Sequence, residues 1–381
     1  MTAPPFPPFP DPPFPGPLRR RGPRPLAQHL MHAAGIRPIS PDCAPDWSGW
    51  NNASTLLDAD PALIAGIAAY RRHPFSRDLA DPPAIWSEGG SRLLDYGGDG
   101  PTLLVVPSLV NRAHVLDLLA DRSMLRWLAG SGVRTLLLDW GWPEQERAWT
   151  LTDYVAGRLE RAIACVGGPL VLVGYCMGGL LALAAALRRP ERLLGLALLA
   201  TPWDFQTENT AGFAALLPLL EPLMATTGTL PVDALQWLLA LPTLDAVAER
   251  YRAFGAEPQD TDRARAFVAL EDWLADGVPL AASVAREALG GWYGRNSPAA
   301  GEWRIAGEVV DPARIGCPAF VAVPDADLIV PPASALALAR RLPRVSVQRP
   351  RAGHVGMVAG ARAEFELWRP LRAWIGSVPT A

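Results

Sequence analysis

Lysine is absent from this 381-residue chain, whose 35 basic residues are all arginine. That excludes a lysine Schiff base and a Walker-type phosphate loop, since both need the amine. Cysteine is scarce: Cys43, Cys165, Cys176 and Cys317 are the only four. They are too few and too scattered for a disulfide framework, and none forms a C-x-x-C pair. The five histidines are equally dispersed, so no metal site is expected. Basic charge is not in excess. The formal net charge of -3 provides no field to hold nucleic acid. No apolar stretch follows the first basic cluster, Arg19–Arg21, so no secretory signal is expected. A reducing, cytoplasmic setting suits the isolated thiols.

Proline is plentiful at the start, with eleven among residues 1–25 and Phe6, Phe9 and Phe14 between them. This density builds neither helix nor sheet and predicts a disordered, solvated arm. Residues 26–99 read as a helical or irregular segment. Within it, Asp60-Pro61 opens a helix running through Tyr70, with an acidic cap and proline in the first turn.

From residue 100 a regular rhythm begins. Thr102–Val106, Arg134–Asp139, Leu170–Gly174, Leu193–Ala200, Ala319–Val323 and Val345–Gln348 are short apolar runs. Helix-length segments lie between the first four, at Leu116–Ser131, Thr152–Val166 and Leu180–Arg189. Continuous apolar strands alternating with helices predict an α/β fold, with a mostly parallel sheet covered on both faces. The rhythm stops at 202–310, which is rich in Trp, Pro and Leu and shows no clear strand. That stretch reads as a mainly helical cap inserted after the sixth strand, between core segments 100–201 and 311–381. One uncharged run, Pro169–Leu187, reaches nineteen residues. It divides at its glycines into a β-like and a helical half, so no membrane span is expected.

The divided run carries the strongest chemical signal. Leu170–Gly179 ends in Gly174-Tyr175-Cys176-Met177-Gly178-Gly179, the nucleophile-elbow pattern with cysteine in place of serine. A nucleophile on a strained bend needs small neighbours two residues to either side, and Gly174 and Gly178 meet that need. The helix that follows points its N-terminus at the thiol, favouring thiolate and any oxyanion. The Met177 backbone N–H is the expected first oxyanion donor. The bland alternative is a buried structural cysteine in a glycine-rich turn.

A nucleophile needs a base, and the base an orienting acid. His354 is the only histidine after Cys176, just past the strand Val345–Gln348. Asp325 and Asp327 follow the strand Ala319–Val323. Asp327, ahead of Leu-Ile-Val-Pro, is the better placed acid, and Asp325 suits the turn. The loop Pro107–Asn111 should supply a second oxyanion donor, from the backbone of Val110 or of Leu109. Asn111 is a candidate substrate contact that either holds this loop by bonding its own backbone or is an ordinary turn residue. His114 lies near the same loop and reads better as a solvated helix face than as a pocket residue. Trp203 and Asp204 are expected to line the cleft mouth, Trp203 as a substrate contact. Trp292 and Tyr293 read as core aromatics of the cap, and Cys43, Cys165 and Cys317 as structural.

These residues resemble polyhydroxyalkanoate synthases in three blocks. Val106–Asn111, Val115–Leu118, Ser123–Leu128 and Leu138–Trp140 are similar to the synthase stretch P-x-x-I-N-K, I-L-D-L, S-L-V-R-W-L and D/S-W. Gly174–Gly179 is similar to G-Y/F-C-x-G-G. Asp327–Pro331 and Gly353–Gly356 are similar to D-H-I-V-P and G-H-I-x-G. The chain departs from that pattern at Arg112-Ala113-His114, where aromatic residues are usual, and at Leu328, where the family has histidine. The W-N-x-D pattern of the cap is absent, with Gly291–Asn296 in its region.

The resemblance implies a cap-covered α/β-hydrolase fold with Cys176 as nucleophile, Asp327 as acid and His354 as base. It implies an acyltransferase that takes hydroxyacyl groups from coenzyme A thioesters and grows a polyester. Coenzyme A enters as substrate, and no resident cofactor is expected. Dimerisation or a helper subunit, and association with polyester granules, are further implications. The alternative is a depolymerase, esterase or thioesterase using the same triad. The long insertion at 202–310 argues against a compact dienelactone hydrolase. A granule-surface scaffold with a vestigial site would leave the ordered Cys–Asp–His set unexplained.

Overall fold

The computed structural model describes residues 20, 22–33, 60–207, 213–240 and 244–379. Most of the proline-rich arm and Cys43 lie outside these residues. Eight strands form one sheet: β1 (Ala84–Glu88), β2 (Ser91–Asp95), β3 (Thr102–Val106), β4 (Arg134–Asp139), β5 (Leu170–Tyr175), β6 (Leu193–Leu199), β7 (Ala319–Ala322) and β8 (Val345–Gln348). Their order is β1-β2-β4-β3-β5-β6-β7-β8. The pairs from β4 through β8 are parallel, whereas β1–β2 and β2–β4 are antiparallel. The six apolar runs are six of these strands, and the expected α/β fold is the one observed.

The continuous apolar character of the central strands follows from their two buried faces. In β3, Leu104 and Val106 join one core cluster while Leu103 and Val105 join the other. The strands alternate sides with period two, so both faces are mostly apolar; the buried Thr135 of β4 satisfies its hydroxyl by donating to Val133 O at 2.9 Å.

Two strands escape the apolar-run criterion. In the segment expected to be helical or irregular, β1 and β2 form a hairpin that extends the sheet at its antiparallel edge. Strand β1 is mostly exposed or half-buried, and so carries no apolar signature. The segment Leu116–Ser131 also differs from a single helix. It holds a small ladder, Asp117–Leu119 with Arg122–Ser123, and a helix only at Met124–Gly130. Ser123 caps that helix by accepting from the Arg126 N–H at 3.0 Å.

Asp117 explains the ladder. Its buried carboxylate accepts from Arg126 Nε at 2.8 Å and Nη2 at 3.0 Å, and from the Tyr96 hydroxyl at 3.2 Å. Asp117 and Arg126 thus meet across a turn as an ion pair, which is structural here.

Residues 202–310 lie between β6 and β7 and carry the helices Leu217–Thr227, Val232–Ala240, Leu244–Ala256 and Asp262–Ala275. Two ladders of two residues per strand, Thr229–Leu230 with Leu280–Ala281 and Arg304–Ile305 with Glu308–Val309, are too short for a sequence signal. The helix Pro61–Arg72 is capped as expected, with Asp60 Oδ1 accepting from the Leu63 N–H at 2.9 Å. It packs on Leu244–Ala256 around Leu63, Ile67, Tyr70, Tyr251 and Phe254. The uncharged run divides into β5 and the helix Met177–Arg188. No helix among the described residues is long and apolar enough to cross a membrane.

Removing the Asp117 carboxylate leaves the Arg126 guanidinium and the Tyr96 hydroxyl without their shared acceptor. Arg126 is partly exposed, so water recovers part of the loss. Asp117→Ala is expected to lower unfolding stability by about 2 kcal/mol or more. Urea denaturation measures this, and a wild-type midpoint would contradict the structural role.

Candidate active site

At the end of β5 the chain turns sharply into the helix Met177–Arg188. Cys176 sits on that turn with φ 56° and ψ -130°, a left-handed φ rare for a residue with a side chain. The bend is pinned by Cys176 N–H donating to Leu199 O at 2.8 Å and Gly179 N–H to Cys176 O at 2.9 Å. A Cβ at Gly174 would lie 2.3 Å from Gly179 Cα, and one at Gly178 would lie 2.3 Å from Val106 O. A Cβ at Gly179 would fall 1.8 Å from Thr201 Oγ1. The elbow therefore closes only with glycine at all three positions. The thiol of Cys176 is half-buried. The Met177 N–H occupies the first helical position, where no intrahelical acceptor exists.

The loops after β7 and β8 bring two further groups together. His354 Nδ1 lies 2.7 Å from Asp327 Oδ2, and both side chains are buried. The other oxygen, Asp327 Oδ1, accepts from the Ile329 and Val330 N–H groups, each at 2.9 Å. Asp325 turns outward and pairs with Arg349 on the surface. The imidazole also feels Cys176. Burial alone would lower the His354 pKa, but the Asp327 charge, the Cys176 charge and hydrogen bonds to both push it up to about 10. Tyr175 packs its ring 5.2 Å from the imidazole, and its hydroxyl donates to His354 O at 3.3 Å. The sequence carried no signal for Tyr175 beyond its place in the elbow.

Other expected site residues sit differently. The Val110 N–H donates to Ser108 Oγ at 3.1 Å, so this donor is already engaged within its own loop. Asn111 does adopt a left-handed φ of 64°, as a turn residue can. Its side chain does not bond its own backbone, however: Asn111 Oδ1 accepts from Gln236 Nε2 at 2.6 Å. Trp203 is 1% exposed, which places it beneath the cleft and not at its mouth. Its N–H donates to Ser334 Oγ at 3.0 Å, and its indole Nε1 has no acceptor among the described residues. The large ring fills space between the end of β6 and the cap. Asp204 Oδ1 accepts from Asn296 Nδ2 at 2.8 Å, clasping that loop to the cap. His114 sits in the short 3₁₀ helix Ala113–Leu116 and is only half-buried. Burial, assisted by the Arg77 charge, lowers its pKa to about 4. In the cap, Phe205 stacks on Trp292 and meets Tyr293 edge-on.

A family model described as the alpha/beta hydrolase fold matches residues 101–361. This chain belongs to the α/β-hydrolase fold family. This α/β hydrolase is also similar to the poly(3-hydroxyalkanoate) polymerase subunit PhaC of Allochromatium vinosum, at 28% identity over 77% of this chain and 87% of the relative. The subunit of the same name from Thiocystis violacea is 26% identical over 89% of this chain and 99% of its own. That of Synechocystis sp. is 28% identical over 72% and 77%.

The raised His354 pKa has a sign for stability. Its contribution is fully present below the unfolded value of 6.5 and is lost as pH rises through the folded value of about 10. Asp327→Asn keeps the shape but deletes the charge that opposes burial. The His354 titration midpoint, read by NMR of the ring, is expected to fall towards or below 6.5. A midpoint still near 10 would contradict this origin of the shift.

Proposed function

We propose that this chain is a cysteine-dependent acyltransferase of the polyhydroxyalkanoate synthase type. The observation that carries the reading is a cysteine on a glycine-enclosed elbow whose thiol bears on an imidazole held by a buried carboxylate. Similarity to polymerase subunits over most of their length supplies the substrate class.

The chemistry follows from those groups. His354 takes the proton of Cys176, and Asp327 keeps the imidazole in the tautomer that accepts it. The sulfur attacks the carbonyl carbon of a hydroxyacyl-coenzyme A. Charge collects on the carbonyl oxygen, where the Met177 N–H and an amide of the Pro107–Asn111 loop can donate. The carbon–sulfur bond to coenzyme A breaks, and its thiol departs with the proton from His354. One thioester has replaced another, so loading is nearly balanced in energy. A substrate hydroxyl, deprotonated in turn by His354, then attacks the acyl-cysteine. An oxoester forms and the Cys176 thiol is restored. Water in place of that hydroxyl would make the same site a hydrolase, so the outcome depends on how well water is excluded.

Asn111 acts in this reading through the loop it terminates, and Trp203 through the wall it supports. A second copy or a helper subunit, and a cytoplasmic granule surface, belong to the same proposal.

Purified protein given 3-hydroxybutyryl-coenzyme A tests it. Coenzyme A release accompanied by polymer is the expected result, and free acid alone would favour the hydrolase. Cys176→Ala should abolish turnover while the fold persists. His354→Gln should slow acyl transfer by about 100-fold or more, as loss of a general base does. Unchanged kinetics in either variant would remove that residue from the mechanism.

A further inference from the structure

The Pro107–Asn111 loop is gripped by the cap at its last residue and at the one that follows it. Gln236, buried on the cap helix Val232–Ala240, donates from Nε2 to Asn111 Oδ1 at 2.6 Å. Trp273, on the helix Asp262–Ala275, donates from Nε1 to Arg112 O at 2.7 Å. The bridge sits in a closed space. A Cβ at Gly277 would lie 2.5 Å from Val232 Cγ1, 3.2 Å from Gln236 Nε2 and 3.3 Å from Asn111 Oδ1. Asn111 itself adopts φ 64°, a left-handed turn that asparagine tolerates and that its bond to Gln236 fixes in place. The preceding turn adds one local tie, Val110 N–H to Ser108 Oγ.

We propose that Gln236 is a positioning residue for the oxyanion loop. Its bond to Asn111 holds the Leu109 amide, the loop donor not engaged by Ser108, where a tetrahedral intermediate needs it, so the loop is competent only with the cap seated. This rests on the reading of Cys176 as nucleophile and of the loop as a source of oxyanion donors. Without the Gln236 donor, the half-buried Asn111 oxygen loses its protein partner and the left-handed turn loses its lock. Oxyanion hydrogen bonds are steep in distance and angle, so a small drift of this amide reads out directly in the acyl-transfer step. Removing a whole oxyanion donor costs about 100- to 1000-fold in kcat, so misplacing one should cost about 10- to 100-fold.

Two variants and two reactions test this. Gln236→Leu removes the donor at similar size, and Gln236→Glu keeps the shape without donating. Acyl transfer from 3-hydroxybutyryl-coenzyme A passes through an oxyanion. Alkylation of the Cys176 thiolate by iodoacetamide does not: a sulfur–carbon bond forms as iodide leaves. It depends on the thiol, on His354 and on an intact fold, but not on the loop amides. Alkylation is followed by mass spectrometry on the peptide carrying Cys176, with fragment ions separating it from Cys165. In both variants kcat should fall by about 10- to 100-fold, while KM stays within about threefold and alkylation within about twofold. On an Asn111→Gly background, Gln236→Leu should add nothing further. Unchanged kcat, alkylation falling in step with kcat, or additive effects of the two substitutions would each overturn the assignment. If Cys176→Ala turns over like the wild type, the nucleophile reading itself fails, whatever Gln236 does.

Discussion

Between the last residue of β5 and the first turn of the helix it enters, Cys176 keeps a left-handed φ of 56° because no side chain stands in its way. Gly174, Gly178 and Gly179 each face backbone or side-chain atoms within 2.3 Å of where a Cβ would be. A non-glycine residue in such a conformation costs about 1–3 kcal/mol, which the surrounding structure must over-determine. Here the neighbouring strands do so, through the bond from Cys176 N–H to Leu199 O and the close approach of Val106 O. The bend lifts the thiol out of the sheet while the helix behind it leaves its first amides unpaired. The parallel strands β7 and β8 then deliver Asp327 and His354 from their own ends to the same edge.

Electrostatics at that edge is a contest between burial and pairing. Burial ordinarily keeps an imidazole neutral, as His114 shows with its lowered pKa. His354 goes the other way because Asp327 and Cys176 both stabilise its charged form. A half-buried and a buried histidine of one chain thus shift in opposite directions, and the partner decides. The cap adds mechanical constraint, since Asn296 clasps Asp204 after β6, Gln236 holds Asn111 after β3, and Trp273 holds the next carbonyl.

The parts legible in the sequence are those governed by local rules. Strands buried on both faces are largely apolar, so the five central strands could be read directly, and the edge strand β8 from its alternating valines, although none of its residues is buried. The elbow needs glycines at fixed offsets, and a carboxylate and a histidine after successive late strands are easily found once the strands are known. Strand β1 was not legible because an exposed edge strand carries no apolar run, and β2 because its buried Leu93 and Leu94 are flanked by Arg92 and Asp95. Pairings between distant segments leave no periodic trace. Asn111 and Gln236 are 125 residues apart, so the true partner of the Asn111 side chain was invisible. The depth of Trp203 and the partial burial of His114 depend on how the cap and the segment before residue 100 close over the core. The engagement of the Val110 amide by Ser108 is a two-residue contact, and in principle Ser-Leu-Val in a turn signals it.

A thiol that accepts an acyl group should retain it long enough to be weighed. Protein incubated briefly with 3-hydroxybutyryl-coenzyme A, quenched in acid and cleaved at arginine gives a peptide, Ala162–Arg188, that contains both Cys165 and Cys176. Fragment-resolved mass spectrometry should place a hydroxybutyryl group, or a short oligomer of it, on Cys176 alone. An acyl group on Cys165 or Cys317, or coenzyme A released with no acyl-enzyme at any time, would contradict the central claim.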